Sequence, residues 1–250
     1  MGVMHLLLLA ALLRQPAALD EAKAAAEKTG AASYAFKVAG RFERSGEWFP
    51  SQLLVSRIDK FQSARHQETM LVKGPEGLWK TPQERIGEAT ENQQKDVADM
   101  MKTLEEARAP HRMALELLAE ASKVSRGDDV DVEGTIPCRV FYLSFREERA
   151  RKELDEQIEK AGKRGTLDKP DKILWSSVRS GAQIYVRKSD GLVARVAEHA
   201  SVKLSYQKDP EQRPDEKKYE LKLTLNLSEH GAAKLDLPVE LKERLGIKKD

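Results

Sequence analysis

Residues 192–206 read LVARVAEHASVKLSY, and residues 219–228 read YELKLTLNLS. In both segments apolar and polar side chains alternate, which is typical of a β-strand with one buried face and one solvated face. Val202 and Leu204 lie on the apolar side of the first segment, and Leu221, Leu223 and Leu225 on that of the second. A long antiparallel sheet with a single apolar face must cover that face, either by curling or by receiving helices.

Shorter segments predict the rest of this sheet. Between 34 and 42, Tyr34, Phe36, Val38 and Phe42 alternate with charged residues, which predicts a first strand. The triplet 189–191, Ser-Asp-Gly, predicts the hairpin turn before 192–206 because Asp-Gly tolerates positive φ. Further strands are predicted at 52–58, 60–73, 78–80, 138–145 and 182–188. We interpret 138–145 as a central strand, since it has almost no polar positions.

Helical spacing replaces the alternation in the middle of the chain. Helices are predicted at 92–104 and 111–123, separated by Pro110, and Gly-Asp-Asp at 127–129 is interpreted as a loop. The apolar residues of the two helices include Met100, Met101, Leu104, Met113 and Leu117. Because methionine adapts to irregular surfaces, these helices could form a deformable lid over the sheet. The alternative is that the methionines simply fill the core.

Other helices are predicted near the two ends of the chain and in an insertion. Asp20 is a suitable N-cap for a helix at 21–29, and Gly30 is placed to end it. Residues 147–172 are a highly charged insertion, with a surface helix at 147–161 followed by a Gly- and Pro-containing linker. A short helix is predicted at 239–245.

The N-terminus resembles an export signal. Residues 6–13 read LLLLAALL, which is too short to span a bilayer and has the length of a signal-peptide core. We therefore predict a signal peptide at 1–18, cleaved near Ala18, and one domain over 19–250. The alternative is a buried N-terminal helix. No other stretch is apolar enough to cross a membrane, so the predicted location is periplasmic or secreted.

Composition and motifs argue against several function classes. The net charge is +2 in 250 residues with no basic block, so nucleic acid is not an expected partner. Cys138 is the single cysteine and excludes an internal disulfide. The five histidines have no metal-site spacing, and we interpret each as a surface or rim side chain. Nucleophile, phosphate-loop and dinucleotide motifs are absent, so we predict no enzyme, metal or cofactor.

The order of these elements carries a family resemblance. A strand opens with Ser-Tyr-Ala-Phe at 33–36, Ser-Asp-Gly-Leu-Val stands at 189–193 between two strands, and Leu-Asp-Leu-Pro closes the pattern at 235–238. This layout resembles the superfamily of periplasmic lipoprotein carriers (LolA-like proteins). The resemblance implies an α+β half-barrel, a single curved antiparallel sheet that is not closed, with helices on the concave side. The insertion at 147–172 has no counterpart there, and no family residue can be matched.

The fold and the resemblance together predict a binding site on the concave face. An incompletely filled concave side would accept an acyl chain, because each buried methylene contributes about 0.8 kcal/mol. The residues predicted to line this cavity are Tyr34, Phe36, Val38, Phe42, Met100, Met101, Leu104, Met113, Leu117, Val202, Leu204, Leu221, Leu223 and Leu225. We expect an exported carrier or sensor of a lipid or lipoprotein acyl chain. The alternative is a non-catalytic envelope module with a filled core, which binds an envelope protein.

Overall fold

A computed structural model describes residues 2–39, 43–58, 69–74, 77–80, 102, 107–149, 151–152, 173–206, 215–234, 237 and 239. Side-chain positions are described for these residues except at 2–15, 58, 69–71, 74, 77–80, 173–178, 202–206, 215–219 and 221.

Ten antiparallel strands form one sheet in the described part of the chain. They are β1 (Tyr34–Ala39), β2 (Arg44–Phe49), β3 (Leu53–Ile58), β4 (Thr69–Gly74), β5 (Gly77–Lys80), β6 (Lys123–Val132), β7 (Ile136–Ser144), β8 (Ile173–Arg187), β9 (Val193–Tyr206) and β10 (Asp215–Ser228). Their spatial order is β5-β4-β3-β2-β1-β10-β9-β8-β7-β6. The sheet is therefore not closed, and the predicted α+β class with a single antiparallel sheet is confirmed.

Two helices cover one face of this sheet, and we call it the helix-covered face. They are α1 (Gly2–Gly30) and α2 (Pro110–Glu120), which pack against each other. Pro110 is the first residue of α2, where its missing N–H and fixed φ cost nothing. No helix among the described residues is both long and apolar enough to cross a lipid bilayer.

The main core lies between the helices and this face. It combines small side chains of α1 with larger side chains of the sheet, so that the helix backbone approaches the strands closely. The sheet residues in this core that are at most 2% exposed are Tyr34, Phe36, Phe141, Leu143, Ala182, Ile184, Val186, Val193, Val196 and Leu225. Ala18, the last residue of the predicted signal peptide, also packs in this core.

A register shift in β9 corrects the predicted face of one residue. The alternation places Ala194 on the same side as Val196, but the pairing of β8 with β9 shifts between Tyr185 and Val186. As a result Val193 packs in the main core, and Ala194 joins a second apolar cluster outside it. A β-bulge of this kind reverses the side-chain direction and leaves no signal in the hydrophobic pattern.

Two predictions for the region from 123 to 145 are wrong. Residues 127–129 lie inside the edge strand β6, with an irregular register between Arg126 and Asp129, because an exposed edge tolerates charged residues and bulges. Strand β7 lies next to that edge and is not central. It is apolar on both faces because Phe141 packs in the main core and Cys138 in the second apolar cluster.

Several element boundaries differ from the prediction. Strand β8 begins at Ile173, nine residues before the predicted start, and β2 was not predicted because its sequence, RSGEWF, is mainly polar. The helix predicted at 21–29 is the end of the longer α1, so Asp20 is not an N-cap.

Other predictions are tested only in part. The described residues between 147 and 152 are helical, whereas 153–172, most of 92–104 and most of 239–245 lie outside the described residues.

Candidate functional site

The predicted cavity residues fall into three groups: buried, partly buried, and without a described side chain. Tyr34, Phe36, Val38, Leu117 and Leu225 are buried at 0–5% exposure in the main core. Met113 and Leu223 pack against that core and are partly buried. Phe42, Met100, Met101 and Leu104 lie outside the described residues, and the side chains of Val202, Leu204 and Leu221 are not described. Where side chains are described, the helix-covered face is thus filled under α1 and α2, and the role of the predicted residues in ligand binding stays a prediction.

A buried polar cluster joins the start of α2 to the sheet. The hydroxyl of Tyr34 lies 2.8 Å from Nδ1 of His111, and the backbone N–H of His111 points to the same hydroxyl at 3.4 Å. The Tyr34 hydroxyl therefore makes two hydrogen bonds to His111, one with the ring and one with the backbone. This arrangement fixes the first turn of α2 over β1.

The same imidazole ring also packs against α1 and β2. Its centroid lies 4.7 Å from that of Trp48, whose indole N–H donates to the carbonyl of Gly30 over 2.9 Å. A Cβ at Gly30 would stand only 2.6 Å from the His111 ring, so glycine is required where the helices meet. The guanidinium of Arg112 lies 5.3 Å from the centroid of the Trp48 ring.

Burial sets the protonation states in this cluster. Desolvation, helped by the nearby Arg112 charge, lowers the pKa of His111 to about 4. Burial also raises the pKa of the Tyr34 hydroxyl well above its usual value. Both side chains are therefore neutral near pH 7, and they act there as a hydrogen-bonded packing unit.

A second polar group lies at the end of the filled core. Arg149 donates to Glu198 on β9 at 2.9 Å and to Glu120 at the end of α2 at 2.8 Å. Its guanidinium carbon stands 3.9 Å from the centroid of the Phe145 ring. The Arg149 and Glu198 side chains are only 19% and 13% exposed, so their charges depend on each other. This ion pair ties the first turn of the charged insertion to both the sheet and α2.

Leu223 lies directly beside this ion pair. Leu223 on β10 pairs with Glu198 on β9. The next residue on the same side of β10 is Leu225, which pairs with Val196 in the filled core. Leu223 is therefore the last residue on this side of β10 whose side chain is described, and it is only partly buried. Beyond it, the backbone register continues with Leu221 opposite Ala200.

A hydrogen-bonded chain holds the end of α1 to the β8–β9 turn. The Thr29 hydroxyl accepts from the backbone N–H of Val193 at 2.8 Å. Nε2 of His230 donates to the Val193 carbonyl, and Nδ1 accepts from Arg187, each over 2.9 Å. Burial is the main reason that the pKa of His230 lies below its usual value. The Thr29 bond thus attaches the end of α1 to the start of β9, and His230 and Arg187 hold the same strand end in place.

No group of three His, Cys, Asp or Glu side chains that could hold a metal ion occurs in the portion of the chain that is described. Cys138 is fully buried, and burial raises the pKa of its thiol.

Sequence reasoning missed the two polar groups on the helix-covered face. The interpretation of His111 as a surface or rim residue is wrong, since it is 6% exposed. Tyr34 and His111 are 77 positions apart, so no local spacing connects them. The one signal in the sequence was Pro110, which indicates that a helix starts there and so places His111 in its first turn.

Comparisons with known proteins give a likeness at the level of overall fold. No family model matches the sequence, and no curated protein matches it. Among solved structures, the chain is similar to the crystal structure of Mycobacterium tuberculosis lipoprotein LppX, with a TM-score of 0.39 and 11% sequence identity. The alignment covers 88% of this chain and 99% of that chain. At this identity and overlap the likeness does not extend to function.

Proposed function

We propose that this protein is an exported, non-catalytic carrier that holds the acyl chain of a lipid or lipoprotein against the helix-covered face. The acyl chain would lie beyond the ion pair of Arg149 and Glu198, where the backbones of β8, β9 and β10 continue past Leu223. The observation that carries the proposal is the partial burial of Leu223, next to the fully buried Leu225 on the same side of β10.

The length of the strands supports this placement. From Glu198 to the end of β9 at Tyr206 the chain continues for eight residues, or about 26 Å at the usual rise of a strand. An acyl chain with about 14 buried methylenes would gain about 11 kcal/mol from burial. Association itself costs at least about 4 kcal/mol, so most of the chain must be covered for stable binding.

A titration with a fluorescent fatty acid tests the proposed position. Leu223→Gln replaces the partly covered leucine with a polar side chain of similar size, and we expect at least a tenfold loss of affinity. Lys222→Gln is the matched control, because Lys222 is exposed on the opposite side of β10 and should leave the affinity unchanged. Circular dichroism would check that both variants fold. Equal affinities for the two variants would contradict the proposed position.

The second candidate function is an envelope interaction module with a filled core. It is favoured by the close packing under α1 and α2, where Phe141, Ile184, Val193 and Val196 are fully buried. This function predicts no fatty-acid binding by the unmodified protein and a protein partner in a pull-down from the cell envelope.

A further inference from the structure

A pocket lies on the side of the sheet away from α1 and α2, at the end where the β6–β7 and β8–β9 turns meet β10. Its volume is about 530 Å³, within the range of about 300–1,000 Å³ that is usual for small-molecule sites. One wall is the tip of the β6–β7 hairpin, and the other includes Lys37 of β1 and Ser228 of β10. None of the predicted cavity residues whose side chains are described lines it.

The β-hairpin tip reaches over this face because of its turn and one ion pair. Glu133 and Gly134 have φ values of 55° and 73°, which gives the tight reversal between Val132 and Ile136. The Glu133 carboxylate lies 3.6 Å from Arg195 on β9, and Arg195 in turn donates to the Asn226 side chain at 2.6 Å. The wall is therefore tied to two strands of the sheet.

The floor of the pocket is apolar and well packed. Val132, Cys138 and Ala194 form the second apolar cluster at 0–3% exposure, with Ile136 packed against it. Val132, Ile136 and Ala194 line the pocket. Ile136 is only partly buried, so a ligand with a compact apolar body would gain free energy by covering this side chain.

The basic residues of the pocket have unused hydrogen-bond donors. The two terminal nitrogens of Arg187 are held by Asp190 at 2.8 Å and by His230 at 2.9 Å. Its Nε is buried and has no hydrogen-bond partner, which is costly in a folded protein. Lys37 is exposed on the opposite rim and forms no ion pair with a described residue.

One of the two acidic residues of the pocket is engaged by a cation. Glu133 is engaged by Arg195, and Glu229 is exposed in the turn that follows β10, with φ 51°. The ammonium group of Lys37 is exposed, and each terminal nitrogen of Arg187 carries a second N–H beyond the one held by Asp190 or His230. These donors favour an acceptor, and a carboxylate makes the strongest hydrogen bonds with such cationic donors.

We propose that this pocket binds a small carboxylate with a compact apolar body, its carboxylate held between Lys37 and Arg187 and its body on Val132, Ile136 and Ala194. This site does not depend on the proposed acyl carrier function, since it lies on the other side of the sheet.

Isothermal titration calorimetry of 3-phenylpropionate binding tests the site. 3-Phenylpropanol, which has the same apolar part but no charge, is the comparison ligand. We expect the carboxylate to bind at least tenfold more tightly than the alcohol. Lys37→Gln should lower the carboxylate affinity at least tenfold, and Ile136→Trp, which fills the pocket, should abolish binding of both probes. Lys222→Gln is the control, because it removes an exposed lysine from the same side of β10 that carries Asn226.

Three results would overturn the proposal: no binding of either probe, equal affinity for the two probes, or equal effects of Lys37→Gln and Lys222→Gln. Amide chemical-shift changes on adding 3-phenylpropionate provide a second readout. They should occur at Ile136, Ala194 and Ser228, and changes centred on Leu223 and Leu225 would instead place the probe on the helix-covered face. Loss of fatty-acid binding in Leu223→Gln with 3-phenylpropionate binding retained would separate the two proposals.

Discussion

The stability of the folded protein should depend on pH through His111. Its pKa is about 4 in the folded protein and 6.5 when unfolded, so between these values the unfolded chain binds more protons than the folded one. The contribution of His111 to stability is therefore fully present above about pH 6.5 and is lost as the pH falls toward 4. A shift of this size corresponds to about 3 kcal/mol. Since part of the shift comes from the charge of the exposed Arg112, which solvent screens, we expect this to be reduced to about 2 kcal/mol.

The test compares urea unfolding at pH 7, 6, 5 and 4.5 for the unmodified protein, His111→Asn and His199→Asn. His111→Asn should be less stable than the unmodified protein at pH 7, by about 1–3 kcal/mol for the vacated volume and the lost Tyr34 hydrogen bond. That difference should shrink by about 2 kcal/mol at pH 4.5. His199 is exposed, so His199→Asn should follow the unmodified protein. Parallel pH profiles for His111→Asn and the unmodified protein would refute this reasoning.

Two further perturbations act on the contacts between helices and sheet. Arg149→Met should destabilise the fold by about 2–4 kcal/mol in urea unfolding, because it leaves the largely buried Glu198 carboxylate without its cation. The double variant with Glu198→Gln should recover at least half of this loss. Gly30→Ala should destabilise by about 1–3 kcal/mol through the clash with the His111 ring. The same change should cost less than about 1 kcal/mol in a His111→Ala background, and additive losses in that double-mutant cycle would contradict the contact.

The strand content of the second half of the chain could be predicted from the sequence because alternation is a local property. The 14-residue strands β9 and β10 show their buried face in the spacing of their leucines and valines. Strand β2 could not be predicted in this way, since Gly46 and Trp48 supply its buried positions between polar residues. Gly46 is required there by the close approach of the Val55 backbone, which is a tertiary constraint.

The polar groups of the candidate site depend on contacts between distant parts of the chain. Arg149 and Glu198 are 49 positions apart. Arg149 stands in a charged stretch, and Glu198 is one of several polar positions in an alternating strand. The opposite-face pocket depends on the β-bulge that turns Ala194 away from the main core. The hydrophobic pattern of a single strand indicates neither the contact between Arg149 and Glu198 nor the β-bulge at Ala194.

Native mass spectrometry of the full chain, purified from an envelope fraction without detergent, tests the central claim most directly. A carrier should show a population heavier than the bare polypeptide by the mass of one lipid, and organic extraction should release a molecule with an acyl chain. The Leu223→Gln variant should carry less of this species than Lys222→Gln. A single population at the polypeptide mass, together with an extract free of lipid, would contradict the account and favour a filled module of the envelope.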